Sequence, residues 1–404
     1  MKFKKKHLFI LLFCIILLFL LIFSVVFAVS KNTSPIIAFY DLETNIIEAI
    51  KTSFDEKSVL FSEEKQKYKY LILDSELPLK SQLDDNKHIA VVFSYNGASQ
   101  DSISKAASKF DSKIFGIMPS SMRNVSNNSL PILLNHLEMD VYNKVFVKFE
   151  KNEIASLSKV FDAGNREAAS GNFNSIMILN GQNDKILSYF LSGYIESRYG
   201  IEELNKITDF LSENQRIYEK QDFLEIPELE KLKVVCDEML ALKKAGLFHS
   251  AWDEMSFDDI KNFMESKKAA FVFMDLYSHR QISYGIIKHY SETFFPSGRL
   301  ANFGTGRSLI VPTVMATCFE TPNKVASADC KKIVETFVSL EEQRILARNS
   351  GLAPVASSAD TQDKQAYNVR LWGASSDYLG LDFGSGFTDP VAKKEFFVAL
   401  RSYL

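Results

Sequence analysis

The chain has 404 residues, a length that fits two or three domains rather than one. Its 46% apolar and 24% charged residues exclude wholesale disorder, and the sparse Gly (17) and Pro (10) exclude collagen-like and low-complexity classes. A net charge of −3 supplies no basic field for nucleic acid, and four cysteines cannot build a disulfide scaffold.

The first segment stands apart from the rest. Lys2, Lys4, Lys5 and Lys6 form a basic start without any acid, and Leu8 to Val29 carries no charge. This is an n-region and an h-region, with Val26 and Ala28 fitting a small-residue cleavage pattern. The apolar run of 22 residues is also long enough to span a bilayer, so cleavage after Ala28 and retention as an anchor both stand open. Cys14 lies in mid-run behind Phe13, a poor context for lipidation. Each reading exports residues 31–404, because the lysines stay inside. Without its first 28 residues the chain carries a net charge of −7. Of the remaining cysteines, Cys236, Cys318 and Cys330, the last two are close enough in sequence to pair, or all three are buried free thiols.

From there strands and helices alternate. Ile36–Tyr40, Tyr70–Leu73, Ile89–Phe93 and Lys113–Met118 read as strands, and Asn45–Phe54 and Asp101–Phe110 as helices by their apolar spacing. This βαβαβ rhythm predicts a mostly parallel sheet covered by helices. Asn174–Leu179 is the next predicted strand. Helices follow at Lys185–Arg198, stopped by Gly200, at Ile201–Ser212, and at Pro227–Ala245, with proline in its first turn and Gly246 at its end. Ser256-x-x-Asp259 has the pattern of a capping box. Ala269–Met274 and Leu309–Pro312 read as strands. Ala326–Ser339, Leu340–Arg348 and Pro390–Leu404 read as helices, the second opened by Ser339-x-x-Glu342 and closed by Gly351.

Two segments carry a family resemblance. Ala241–Arg280 places Lys244, Gly246, Phe263, Lys268, Ala269 and Ala270 as in a helix–turn–helix–strand pattern of the extracellular solute-binding proteins of bacterial ABC importers, the maltose- and oligosaccharide-binding type. Ala326–Pro354 is similar to a second pattern of that family through Ala328, Phe337, Leu340, Glu342, Gln343, Leu346, Ala347, Ser350, Gly351 and Pro354. The resemblance covers roughly 230–355 and is thin over 31–230. It departs from the family where tryptophans are common: Phe39-Tyr40-Asp41 ends the first strand, and Asp275-Leu276-Tyr277 follows the later one.

The resemblance implies an α/β, two-lobed periplasmic-binding-protein-like fold of type II. Each lobe is then a mixed, mostly parallel sheet flanked by helices, and hinge strands join the two. It places one lobe at 31–120 plus 268–312 and the other at 121–267 plus 313–404, after a signal or anchor at 1–30. It further implies a usually monomeric, non-enzymatic protein that closes on a small polar solute such as a sugar and delivers it to the membrane subunits of an ABC transporter. The long apolar start and the missing tryptophans leave a second reading open: a membrane-anchored sensor or interaction module built on the same fold.

Clefts of such folds form where strands end. The candidates are therefore Tyr40 and Asp41, Tyr95, Asn96 and Gly97, Pro119, Ser120 and Ser121, Gly181, Gln182 and Asn183, and Asp275 and Tyr277. These side chains offer a flat apolar face and directional hydrogen bonds. Arg307, in the glycine-rich Phe303–Arg307 turn, is a candidate anion contact, and Trp372 a candidate stacking surface; Trp252 reads as core packing. The turn lacks the G-K-[ST] of a phosphate loop, so no nucleotide cofactor is expected. Asp382-Phe383-Gly384 matches a kinase triplet without the other kinase motifs and is read as chance. His136-x-Glu138 has the spacing of a deaminase zinc motif but no C-x-x-C follows, and the six histidines show no ligand spacing, so no metal site is expected.

Overall fold

The structure is a computed structural model that describes residues 34–61, 68–123, 127–148, 157–295, 309–356, 358–359 and 379–404. The apolar start, Arg307 and Trp372 lie outside the described residues. Among the described residues no helix is long and apolar enough to cross a membrane.

Two mixed sheets organise the chain. The first has six strands in the order β11-β4-β10-β3-β1-β2. They are β1 (Ile36–Tyr40), β2 (Lys69–Ile72), β3 (Ile89–Tyr95), β4 (Leu130–Leu134), β10 (Thr313–Cys318) and β11 (Ala353–Pro354). The second has the order β6-β7-β5-β8, from β5 (Leu137–Tyr142), β6 (Ser175–Leu179), β7 (Ala269–Asp275) and β8 (Tyr290–Phe294). A short parallel pair, β9 (Leu309–Ile310) with β12 (Leu379–Gly380), lies beside the second sheet, and Ile310 joins that sheet's core.

Each sheet is buried on both faces. In the first, Phe39, Phe93 and Phe337 stack on one side, at centroid distances of 5.6 and 6.1 Å, while Ala38, Val92 and Leu79 fill the other. In the second, Phe190, Phe248 and Phe273 form the larger core with Trp252, which is fully buried as its sequence context suggested. The C-terminal helix Pro390–Tyr403 packs into the same core through Phe396 and Phe397.

The strands expected from 268–312 and 313–404 exchange places. β7 pairs with β5 and β6 in the second sheet, whereas β10 inserts between β3 and β4 in the first. Among the described residues, the first lobe therefore combines those from 34 to 134 with 313–356, and the second combines those from 137 to 310 with 379–404. The physical reason is the direction of pairing. The parallel pairs β1–β2, β1–β3 and β6–β7 come from the βαβ rhythm, and the antiparallel strands β4, β5, β8 and β10 complete the sheets. Parallel pairing is thus one part of each sheet rather than most of it. Lys113–Met118 is not a strand: Ser112–Ile117 is a 3-10 helix, started by Asp111, whose side chain accepts from the Lys113 amide.

Local stop and start signals act as expected. Gly200 and Gly351 end the helices Asp184–Tyr199 and Leu340–Ser350, and Gly351 takes the left-handed conformation. The capping box at Ser256 is complete: Ser256 Oγ accepts from the Asp259 amide at 3.2 Å, and the Asp259 carboxylate accepts from the Ser256 amide at 2.9 Å. Ser256→Ala is expected to lower unfolding free energy by about 1 kcal/mol, read as a shift in the denaturation midpoint with an unchanged slope. Cys236, Cys318 and Cys330 are all free and buried, and burial pushes each thiol up from its ordinary pKa.

Candidate functional site

The chain crosses between the sheets at Asn135–His136 and again at Val311–Pro312, and one side chain holds the first crossing. Asn135 is buried. Its amide donates to the Pro312 carbonyl at 2.8 Å, joining the two crossings. Its Nδ2 donates to Asp275 Oδ2 at 2.7 Å, and its Oδ1 accepts from the amides of His136 (2.9 Å) and Tyr277 (3.2 Å). Asp275 caps the short helix Leu276–Arg280, its other oxygen accepting from the Ser278 amide at 2.9 Å. The expected binding residue Asp275 is thus part of the hinge and does not line the cleft. Leu276 and Tyr277 pack against the first lobe's core, so this helix bridges the two lobes.

Beside the hinge lies a cleft of about 870 Å³ with walls from both lobes. The first lobe contributes Tyr40–Glu43, Ser75, Glu76 and Ser94–Gly97 with Ser99; the second contributes Gln182–Lys185, Tyr189 and segments of 380–395. Of the residues singled out in sequence, Tyr40, Asp41, Tyr95, Asn96, Gly97, Gln182 and Asn183 are brought together here. Ser120 is exposed at the start of a short helix away from the cleft, because the preceding segment is a 3-10 turn and not a strand aimed at it. Gly181, Tyr277 and Asp275 do not line it.

Asp41 stands in the left-handed region at φ 52, a conformation that Asp tolerates better than most residues. That turn aims both its carbonyl and its carboxylate at the second lobe. Lys185 Nζ donates to the Asp41 carbonyl at 2.9 Å and lies 3.1 Å from its Oδ1 and 3.5 Å from Glu43 Oε1. It also sits 5.1 Å from the centroid of the Tyr95 ring, whose hydroxyl donates to Glu43 Oε2 at 2.8 Å. Burial works to lower the Lys185 pKa, but Glu43 and Asp41 outweigh it and hold the ammonium above its ordinary value. Burial, and then Glu43, lifts the Tyr95 hydroxyl well above the ordinary phenol range; burial, and then Asp41, pushes Tyr40 up to about 12. All these hydroxyls act as neutral donors.

The lobes touch again farther along the cleft. Ser99 Oγ donates to the Phe387 carbonyl at 3.2 Å, and a Cβ placed on Gly97 would lie 2.8 Å from the Ser385 carbonyl oxygen. The Asp382-Phe383-Gly384 triplet forms this second wall. Ser188 Oγ donates to Asp382 Oδ2 and accepts from the Gly384 amide at 2.9 Å, while Ser192 Oγ accepts from the Phe383 amide at 3.0 Å. The Gln182 loop is fixed from below by Arg401, which donates to the carbonyls of Gly181 (2.8 Å) and Gln182 (2.9 Å) and pairs with Asp184 at 2.6 Å.

Lys185, Glu43, Tyr189, Asp382, Ser385 and Phe387 were not singled out as binding candidates in sequence. Lys185 did leave a signal there: a cation in the first turn of a helix opposes the helix dipole and so needs anions from elsewhere. Lys185→Met removes the contacts to Asp41, Glu43 and Tyr95 together. Partly exposed ion pairs contribute about 0.2–1 kcal/mol each and a cation–π contact about 0.5–1 kcal/mol. Together these amount to about 0.9–3 kcal/mol, so the balance between joined and separated lobes should move roughly 5–150-fold towards separation. A larger radius of gyration in solution scattering would register it.

A second group of donors comes together on the far face of the second sheet. Glu138 and Asp140, two apart on β5, meet His279 of the bridging helix, with Nδ1 3.0 Å from Glu138 Oε1 and 2.9 Å from Asp140 Oδ2. Burial disfavours the imidazolium, but Asp140 and Glu138 outweigh this and raise the His279 pKa; burial raises that of Glu138. Histidine spacing in the sequence does not reveal this group, because its members come from segments about 140 residues apart.

No protein-family model matches the sequence, and no curated protein matches it. Solved structures do match in fold. The chitin oligosaccharide binding protein superposes with a TM-score of 0.66 at 12% identity, over 93% of this chain and 95% of that one. The bacterial solute receptor AcbH, described as preferring β-D-galactopyranose exclusively, gives 0.65 at 11% identity over 93% and 100%. Maltose-bound MalE3 of T. maritima gives 0.59 at 13% over 91% and 100%. The chain has the two-lobed α/β fold of periplasmic solute-binding proteins, along nearly its whole described length.

Proposed function

We propose that the chain is an exported, non-enzymatic solute-binding protein that captures a sugar or oligosaccharide in the interlobe cleft and hands it to the membrane subunits of an ABC importer. The observation that carries this reading is the cleft itself, which is built from both lobes beside two backbone crossings. Its chemistry supports a neutral, hydroxyl-rich ligand. Six carboxylates line it against three ammonium groups, a balance that disfavours anionic solutes. Tyr40, Tyr95, Tyr189 and Phe387 supply ring surface, and Gln182 and Asn183 supply amides. The sugar-binding neighbours support the same ligand class, and the basic start followed by an apolar run supports export. As a proposal, the protein works as a monomer, Arg307 and Trp372 add to the ligand contacts, and closure about Asn135 and Pro312 accompanies binding. Titration calorimetry against mono- and oligosaccharides, paired with solution scattering, tests this. Saturable heat with a smaller radius of gyration for at least one sugar is expected; no heat across the panel, with heat from an anionic solute instead, would overturn the ligand class.

A further inference from the structure

We propose that Glu138, Asp140 and His279 form a divalent-cation site, with zinc the best-fitting ion, under the hinge of the second lobe. It lies apart from the cleft, none of whose lining residues belong to it. The three donor atoms lie within 4.8 Å of one another. Zinc bonds to nitrogen and oxygen are about 2.0–2.2 Å, so tetrahedral ligands stand roughly 3.4 Å apart. The 2.9 and 3.0 Å separations at His279 need to open by only a few tenths of an ångström.

An independent observation points to a missing partner. Asp140 is fully buried, and its Oδ1 accepts no hydrogen bond. A buried carboxylate oxygen without a donor costs free energy that a cation would recover. The surroundings strengthen the case. Glu292 stands directly opposite Asp140 on β8, adding a third carboxylate to the same face of the sheet. Met274, Val272, Ile282 and Tyr290 enclose that face in an apolar layer. One imidazole with carboxylate oxygens suits a borderline ion such as zinc better than calcium or magnesium, which prefer all-oxygen shells of higher coordination number.

The placement gives the site a role. Glu138 follows the Asn135–His136 crossing by two residues, and His279 ends the turn begun by Asp275, the acid that Asn135 holds. A bound ion would staple β5 to the bridging helix and stiffen the base of the hinge.

The test uses the full chain, stripped with chelator and dialysed against zinc, with bound metal read by elemental analysis. About one zinc per chain is expected, with a rise of several degrees in the unfolding midpoint. Cobalt(II) in its place should give the intense visible bands of a low-coordinate ion. The near-isosteric Asp140→Asn, and separately His279→Gln, should weaken zinc binding at least tenfold. Should a variant fail to fold, the wild-type readouts still decide: the ring resonances of His279 must shift on adding zinc. Stoichiometry near zero overturns the proposal and leaves a proton-held ion cluster. Zinc bound without perturbing His279, or with equal affinity in His279→Gln, places the ion elsewhere and overturns it as well.

Discussion

Asn135→Ala is expected to destabilise the protein by about 2–4 kcal/mol. The side chain is buried, and every polar contact it makes belongs to the hinge. Its loss leaves the buried Asp275 Oδ2 without the 2.7 Å donor, and the amides of His136 and Tyr277 without their side-chain acceptor. A hydrogen bond to a charged group is worth about 1.5–3 kcal/mol, and an abandoned buried partner costs about 1–3 kcal/mol. Asn135→Asp should be worse, because it sets a second carboxylate at hydrogen-bond distance from Asp275 in a buried site. Urea denaturation checks both. A loss below about 0.5 kcal/mol for the alanine variant would show that the network does not hold the crossing.

Gly97→Val is expected to abolish most solute binding, lowering affinity at least about 100-fold, while each lobe stays folded. Gly97 stands at φ 137, a region that side chains rarely adopt, so about 1–3 kcal/mol of strain falls on its own loop. The larger effect lies across the cleft. A Cβ would sit 2.8 Å from the Ser385 carbonyl oxygen and 2.9 Å from Ser385 Cβ. The carbonyl is backbone within a turn pinned by Ser188 and Ser192, so it cannot swing away. The lobes must separate, and Ser99 then loses the Phe387 carbonyl. Calorimetry with the best sugar ligand and scattering of the free variant measure this. Wild-type affinity with an unchanged profile would mean that the lobes do not need this contact to hold solute.

The parts of the fold that were legible in sequence are those with local causes. Helices closed by Gly200 and Gly351, and opened by Ser256 and Ser339, stand where their capping residues put them. The illegible parts are the antiparallel strands that carry the hinge. Pro131 within Leu130–Leu134 argues against a central strand, because proline cannot donate to the ladder. The structure accommodates it opposite Met315, where the β4–β10 register shifts. Leu137–Tyr142 alternates Leu137, Met139 and Val141 with Glu138, Asp140 and Tyr142, a period-two pattern that the expected elements did not include. Its acids, however, point into a buried layer instead of solvent. In the cleft, the rule that ligands sit at strand ends found Tyr40, Asp41, Tyr95 and Asn96. It could not find Lys185 or Asp382, which reach the site from the first turn of a helix and from a distant C-terminal turn.

The insertion of Thr313–Cys318 between β3 and β4 sets the order in which the first lobe can be finished. Until that strand arrives, the two strands flanking it present unpaired edges while about 180 further residues emerge behind β4. Completion waits on a loop closure of that span, which favours slow assembly. A first lobe kept waiting in this way stays incomplete for longer than one whose neighbouring strands pair as they are made.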